Sequence, residues 1–123
     1  MVAWVRDEPA AAAVEEFLEE ASAGRSLLAM SWLNVGETFY ILAKRDSLAF
    51  AEQFMIRLPS LPIRLVLPDD EGVMAAARIK AAYAVAFGDS FAIALAQAEK
   101  ASVITGDGEI RRCGVVPVDW VGV

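Results

Sequence analysis

Leu27-Leu28-Ala29-Met30-Ser31-Trp32-Leu33-Asn34-Val35-Gly36-Glu37 is the stretch whose reading decides the fold. Leu27–Met30 is a short apolar run bounded by serines, which suits a buried strand. Ser31 is then placed to cap a helix that carries Leu33, Val35, Phe39, Tyr40 and Leu42. A strand that passes directly into a capped helix is half of a strand–helix–strand unit. Downstream, a helix is expected after Asp46, through Ala49, Phe50, Phe54 and Leu58, with Pro59 and Pro62 closing it. Ile63–Leu67 reads as the second strand. Pro68-Asp69-Asp70-Glu71 opens another helix, with acids in the first turn where the helix dipole favours them. Its inner stripe is Val73, Ala76, Ala77 and Ile79. The Phe87-Gly88 break precedes an Ala-rich helix expected to start at Asp89. Ser102–Thr105 is the third strand. Val115–Val118 is the fourth, at an edge because Pro117 cannot donate. Upstream, Glu8-Pro9 starts a helix with Ala13, Val14, Phe17, Leu18 and Ala21 on one face, and Gly24 ends it. Strands that alternate with helices imply an α/β domain with one parallel sheet, spanning residues 1–123 as a single unit.

Composition narrows the chemistry. There is no histidine, so imidazole metal sites, Ser-His-Asp triads and imidazole acid–base catalysis are excluded. The single Cys113 has no partner for an internal disulfide and fits a reducing cytoplasm; its plain reading is a small, partly buried side chain. No apolar run reaches the ~20 residues of a bilayer span, so no membrane partner is expected, and no export signal is expected either. The net charge of −6 argues against a broadly basic nucleic-acid surface, although a bound divalent cation reverses the potential at a small site. The basic pairs Lys44-Arg45 and Arg111-Arg112 read as solvated helix ends or as contacts to a phosphate.

Three acids stand out by context. Glu37 and Asn34 are three apart and share one face of a mostly apolar helix, either as a solvent-facing stripe or as part of a site. Asp89 sits where a helix N-cap is wanted. With Ser90 as the cap instead, its carboxylate is free for a metal. Asp107 follows a strand through Thr105-Gly106, at the carboxyl end where open α/β sheets bind ligands; the alternative is an ordinary Asx turn. Glu109 nearby reads as a loop charge. Carboxylates gathered at one point repel unless a cation lies among them, and hard oxygen donors suit Mg²⁺ or Mn²⁺.

The order of these segments resembles the PIN domain. The residues that carry the resemblance are Ser31-x-x-Asn34-x-x-Glu37, Asp89-Ser90-Phe91-Ala92-Ile93-Ala94-Leu95-Ala96 and Val103-Ile104-Thr105-Gly106-Asp107. Glu8-Pro9 and Val116-Pro117-Val118 also fit. The chain is most similar to the small PIN ribonucleases that serve as toxins of VapBC-type toxin–antitoxin pairs. The resemblance implies a three-layer α/β/α sandwich with a parallel sheet, one or two Mg²⁺ or Mn²⁺ ions, and single-stranded RNA or tRNA as substrate. It also implies a cognate antitoxin and a homodimer. By position, Asp89 and Asp107 match metal-ligating acids, Glu37 matches the helical acid that often acts through a water, and Thr105 matches the hydroxyl beside the last acid. Ser31 and Asn34 match polar positions near the site. Trp32, Phe39, Tyr40, Phe50 and Phe54 are either core or an apolar groove for the antitoxin.

The chain also departs from the family. Members begin with an apolar strand, central in the sheet, that ends in a metal-ligating Asp. Here Met1-Val2-Ala3-Trp4-Val5 looks like the stretch just after it. The expectation is that this strand and this acid are missing, through a late annotated start, degeneration, or replacement by a partner's strand. Weak or absent cleavage by this chain is therefore expected. The competing function is a catalytically dead module that engages an antitoxin or RNA without cutting it. A flavodoxin-like receiver domain is disfavoured, because paired acids after the first strand and a Lys after the last are not found.

Overall fold

The computed structural model describes residues 1–122. A short helix α1 (Val2–Val5) leads into α2 (Ala11–Ser22), which buries Ala11 and Leu18 and ends before Gly24, at φ +78°. Strand β1 (Leu28–Ser31) passes straight into α3 (Trp32–Arg45), and the Ser31 hydroxyl accepts from the Leu33 N–H at 3.2 Å. Helix α4 (Leu48–Arg57) is capped by Ser47 rather than begun by Asp46, and a single 3-10 turn (Leu58–Ser60) carries Pro59. Strand β2 (Ile63–Val66) precedes α5 (Asp70–Ala82), capped by Asp69 at 2.8 Å from the Gly72 N–H. Then come α6 (Phe87–Glu99), β3 (Val103–Thr105), α7 (Gly108–Cys113) and β4 (Val118–Trp120).

The architecture is mixed α/β with short parallel strands, but the expected single sheet is not what forms. β1 pairs with β2 in parallel, from Leu28 opposite Ile63 to Ser31 opposite Val66. β3 pairs with β4 in parallel, from Val103 opposite Val118 to Thr105 opposite Trp120. These are two separate two-stranded sheets. Helix α6 packs against both β1 and β3 and so links the pairs. The strands are three or four residues long, too short to extend a ladder across the space between them. β1 is also not the buried strand its composition suggested: Ala29 is exposed, and Leu27 just before it is fully exposed. The fourth strand lies later than expected, at Val118–Trp120, because Pro117 contributes only its carbonyl, which accepts from Val103 N.

Burial follows the same division. One core joins α5, α6, β3 and α7 through Ala76, Ile79, Phe91, Ile93, Val103 and Ile110. The other joins α3 and α4 through Val35, Leu42, Ala51, Phe54 and Leu58, with Val2, Val5 and Phe39 packed against it. Of the aromatic candidates, Phe54 is buried and Phe39 and Phe50 half-buried, whereas Trp32 and Tyr40 are exposed. The Arg6 Nε donates to the Asp46 carboxylate at 2.8 Å and ties α1 to the end of α3. Cys113 is half-buried, and its thiol donates to the Ile110 carbonyl. Among the described residues, no single helix is long and apolar enough to cross a membrane.

Candidate active site

The two cores meet where α3 lies against α6, and the acidic residues gather at that seam. Ser31 is buried as the cap of α3, which fixes where Asn34 and Glu37 emerge on the next turns. The Asn34 side-chain N–H donates to the Gly88 carbonyl at 2.8 Å and locks the start of α6 against α3. Its own Oδ1 is buried and has no hydrogen-bond partner among the described residues. The Glu37 carboxylate lies directly over Gly88: a Cβ built there would sit 2.2 Å from Glu37 Oε2. Only glycine lets that carboxylate approach the backbone so closely.

Asp89 is not the cap of α6. The helix begins two residues earlier, at Phe87, with Ala86 in extended conformation before it. Phe87 packs edge-on against Phe91, with ring centroids 5.0 Å apart. Ser90, fully buried, donates to the Phe87 carbonyl. These contacts carry the helix start, so Asp89 lies in the first turn with no capping bond, half-buried. Burial first, then the charges of Asp107, Glu37 and Glu109, push its carboxyl from 3.8 up to about 6. Asp107 arrives from the end of β3. Its N–H donates to the Thr105 hydroxyl at 3.0 Å, and its Oδ1 accepts from Glu109 N at 2.7 Å, so it caps α7. The Asx-turn reading of Asp107 is therefore realised, in a residue that also acts on Asp89.

The structure thus brings Glu37, Asp89 and Asp107 into mutual electrostatic range and adds Glu109, which the sequence suggested was a loop charge. It does not draw them into a cage: among the described residues, no three acids stand close enough to grip one ion. The donor chemistry still fits a hard cation, with oxygen ligands only and an orphaned Asn34 oxygen beside the carboxylates. Mg²⁺ in particular keeps several waters and needs one or two carboxylates rather than a full protein cage.

Beside the carboxylates lies a cavity of about 660 Å³ lined by Val2, Ala3, Glu8, Ile41, Arg45, Thr105, Gly106, Asp107 and Gly108. With this geometry in view, the sequence was compared with known proteins, and it matches the PIN domain over residues 1–116. The chain belongs to the PIN domain family. PIN domains are in general metal-dependent nucleases that bind nucleic acid. No curated protein and no solved structure gives a match. In this PIN domain the acids come from the two helices and the strand end that the sequence motifs marked. Sequence reasoning missed α7 and Glu109 within it. The signal was there: Gly108–Cys113 follows an Asp and is closed by Gly114, which adopts φ +67°.

Proposed function

We propose that this PIN domain is a Mg²⁺- or Mn²⁺-dependent endoribonuclease acting on single-stranded RNA, the toxin of a toxin–antitoxin pair. The observation that carries the reading is the raised Asp89 carboxyl, pushed up in part by three acids from other segments. Such mutual repulsion is costly without a cation, and a phosphodiester brings more negative charge to the same place.

Asp89 and Asp107 are the residues that would hold the ion, with Glu37 acting through a water and Asn34 Oδ1 within the same polar seam. Bound there, a divalent ion supplies a Lewis acid and a water of lowered pKa. The remaining parts are the chain's own. Asn34 fixes the Gly88 carbonyl and thereby the approach of α6. Thr105 holds the Asp107 backbone through its hydroxyl and sets the direction of that carboxylate. Asp89 carries a proton below about pH 6 and is anionic above it, so both cation binding and turnover are expected to rise through that range.

The family resemblance sets one more strand, ending in an Asp, at the centre of a three-layer sandwich. Here the two strand pairs share α6 but no ladder, and we place that strand between them. The same observation, with the absence of a three-acid cage, favours a second reading: an impaired PIN domain that engages an antitoxin or RNA without cutting. Cleavage of a fluorogenic single-stranded RNA in Mn²⁺ separates the two. The nuclease reading expects slow cleavage that Asp89→Asn abolishes and that an added apolar N-terminal strand ending in Asp accelerates. No cleavage by either form leaves the binding module standing and ends the nuclease reading.

A further inference from the structure

The cavity at the end of β3 carries basic groups that the acids do not account for. Arg45, in the last turn of α3, lines one wall, and Asp107 and Gly108 line another. Arg112 folds back over that second wall: its Nη1 lies 2.8 Å from where a Gly108 Cβ would be. Both arginines have acids close by in sequence. Glu109 is three residues before Arg112 on the same helix, a spacing at which opposite charges commonly pair. Asp46 adjoins Arg45 but is taken by Arg6. Yet neither Arg45 nor Arg112 forms an ion pair among the described residues. In a chain with 17 acids against 11 bases, two unpaired guanidiniums at one cleft are a local exception to the overall charge. Arg111 differs, because its guanidinium stacks on Trp120 at 3.9 Å.

We propose that Arg45 and Arg112 are substrate-positioning residues that hold the phosphates flanking the one at the carboxylates. The nucleotide between them would rest on the apolar wall of Val2, Ala3 and Ile41. A guanidinium presents forked donors that match phosphate oxygens. The arrangement explains how a strongly acidic protein holds a polyanion: the carboxylates take a cation, and the arginines take the neighbouring charges directly. The inference rests on the ribonuclease reading for its substrate class, but not on turnover.

The test is binding of a short fluorescently labelled single-stranded RNA by anisotropy, in Ca²⁺, over a salt series from about 50 to 200 mM. Intact RNA is checked on a gel. Arg45→Ala and Arg112→Ala are each expected to weaken binding about three- to tenfold. Each is also expected to lower the slope of log affinity against log salt by about 0.7, the value for one contact to a single strand. Arg112→Lys keeps the charge and is expected to retain most of that slope while losing affinity. Arg64, on β2 and paired with Glu99 at 2.6 Å, is the control whose alanine variant leaves both quantities unchanged. Wild-type affinity and slope in both cleft variants overturn the proposal, as does an equal loss in Arg64→Ala, or no RNA binding by the wild type at low salt. Loss of cleavage with this binding pattern intact would instead count against the nuclease reading alone.

Discussion

Replacing Asp89 by Asn is expected to stabilise the protein at neutral pH and to do nothing for it in acid. The folded-state pKa of Asp89 is raised from 3.8 to about 6. Between those values the native state binds more protons than the unfolded chain, so this group's contribution to stability falls as pH rises. The penalty is absent below about pH 4 and fully present above about pH 6. Two pKa steps amount to ~3 kcal/mol at face value. Asp89 is only half-buried, and solvent screening reduces the figure to ~1–2 kcal/mol. Against this stands the helix dipole, which favours a carboxylate in the first turn of α6 by ~0.3–1 kcal/mol. The net gain for Asp89→Asn is therefore ~1 kcal/mol at pH 7.5 and near zero at pH 4. Urea unfolding of both proteins at pH 4, 5, 6 and 7.5 measures it, and taking the difference between them cancels the titration of the other acids. A variant less stable than wild type at pH 7.5, or a difference that does not change with pH, would refute the idea that Asp89 is held among like charges.

Three further perturbations probe the same seam. Millimolar Mn²⁺ is expected to raise the wild-type melting temperature by a few degrees, as a native-state ligand at about ten times its Kd adds ~1 kcal/mol; no shift in wild type would count against the carboxylates sharing a cation. Gly88→Ala places a methyl where Glu37 now lies; because a side-chain tip can swing away, stability is expected to stay within ~1 kcal/mol of wild type, while an NMR titration shows the Asp89 pKa falling as Glu37 withdraws. Leu42→Ala, at a fully buried position, is expected to cost ~2–5 kcal/mol in urea unfolding, and a smaller loss would show that the core around α3 is loosely packed.

Much of this fold is legible in the sequence because its signals are local. Ser31 and Asp69 cap the helices they appear to cap, and the apolar spacing of α3 and α5 matches their buried faces. The errors arise where a distant contact decides. Asp89 looks like an N-cap, but the Phe87–Phe91 contact and the Ser90 hydroxyl pull the helix start back by two residues. Leu27–Met30 has the composition of a buried strand, yet burial depends on what covers it, and its neighbours leave Leu27 bare. The division into two strand pairs is likewise a matter of long-range pairing. The three acid positions were readable as a set, but the distances among their carboxylates were not, and Glu109 joins them only because α7 forms.

Proximity in charge and absence of a cage are compatible once their ranges are compared. Like charges act on one another across several ångströms in a half-buried site, where the effective dielectric is well below that of water. Direct ligation by three carboxylates demands oxygens within about 2–2.5 Å of a single point. A set of acids can meet the first condition while failing the second, and Asp89, raised but uncaged, is in that state. Its carboxylate rests on α6, Glu37 on α3 and Asp107 on the turn after β3, so closing the set requires those elements to draw together. The Asn34 bond to the Gly88 carbonyl already fixes α3 to α6. The remaining freedom lies on the β3 side, in the Thr105-Gly106-Asp107 turn. If that turn is what moves, Mn²⁺ should slow amide exchange at residues 106–109 more than at the start of α6. Equal protection at both places would mean that no such closure accompanies binding.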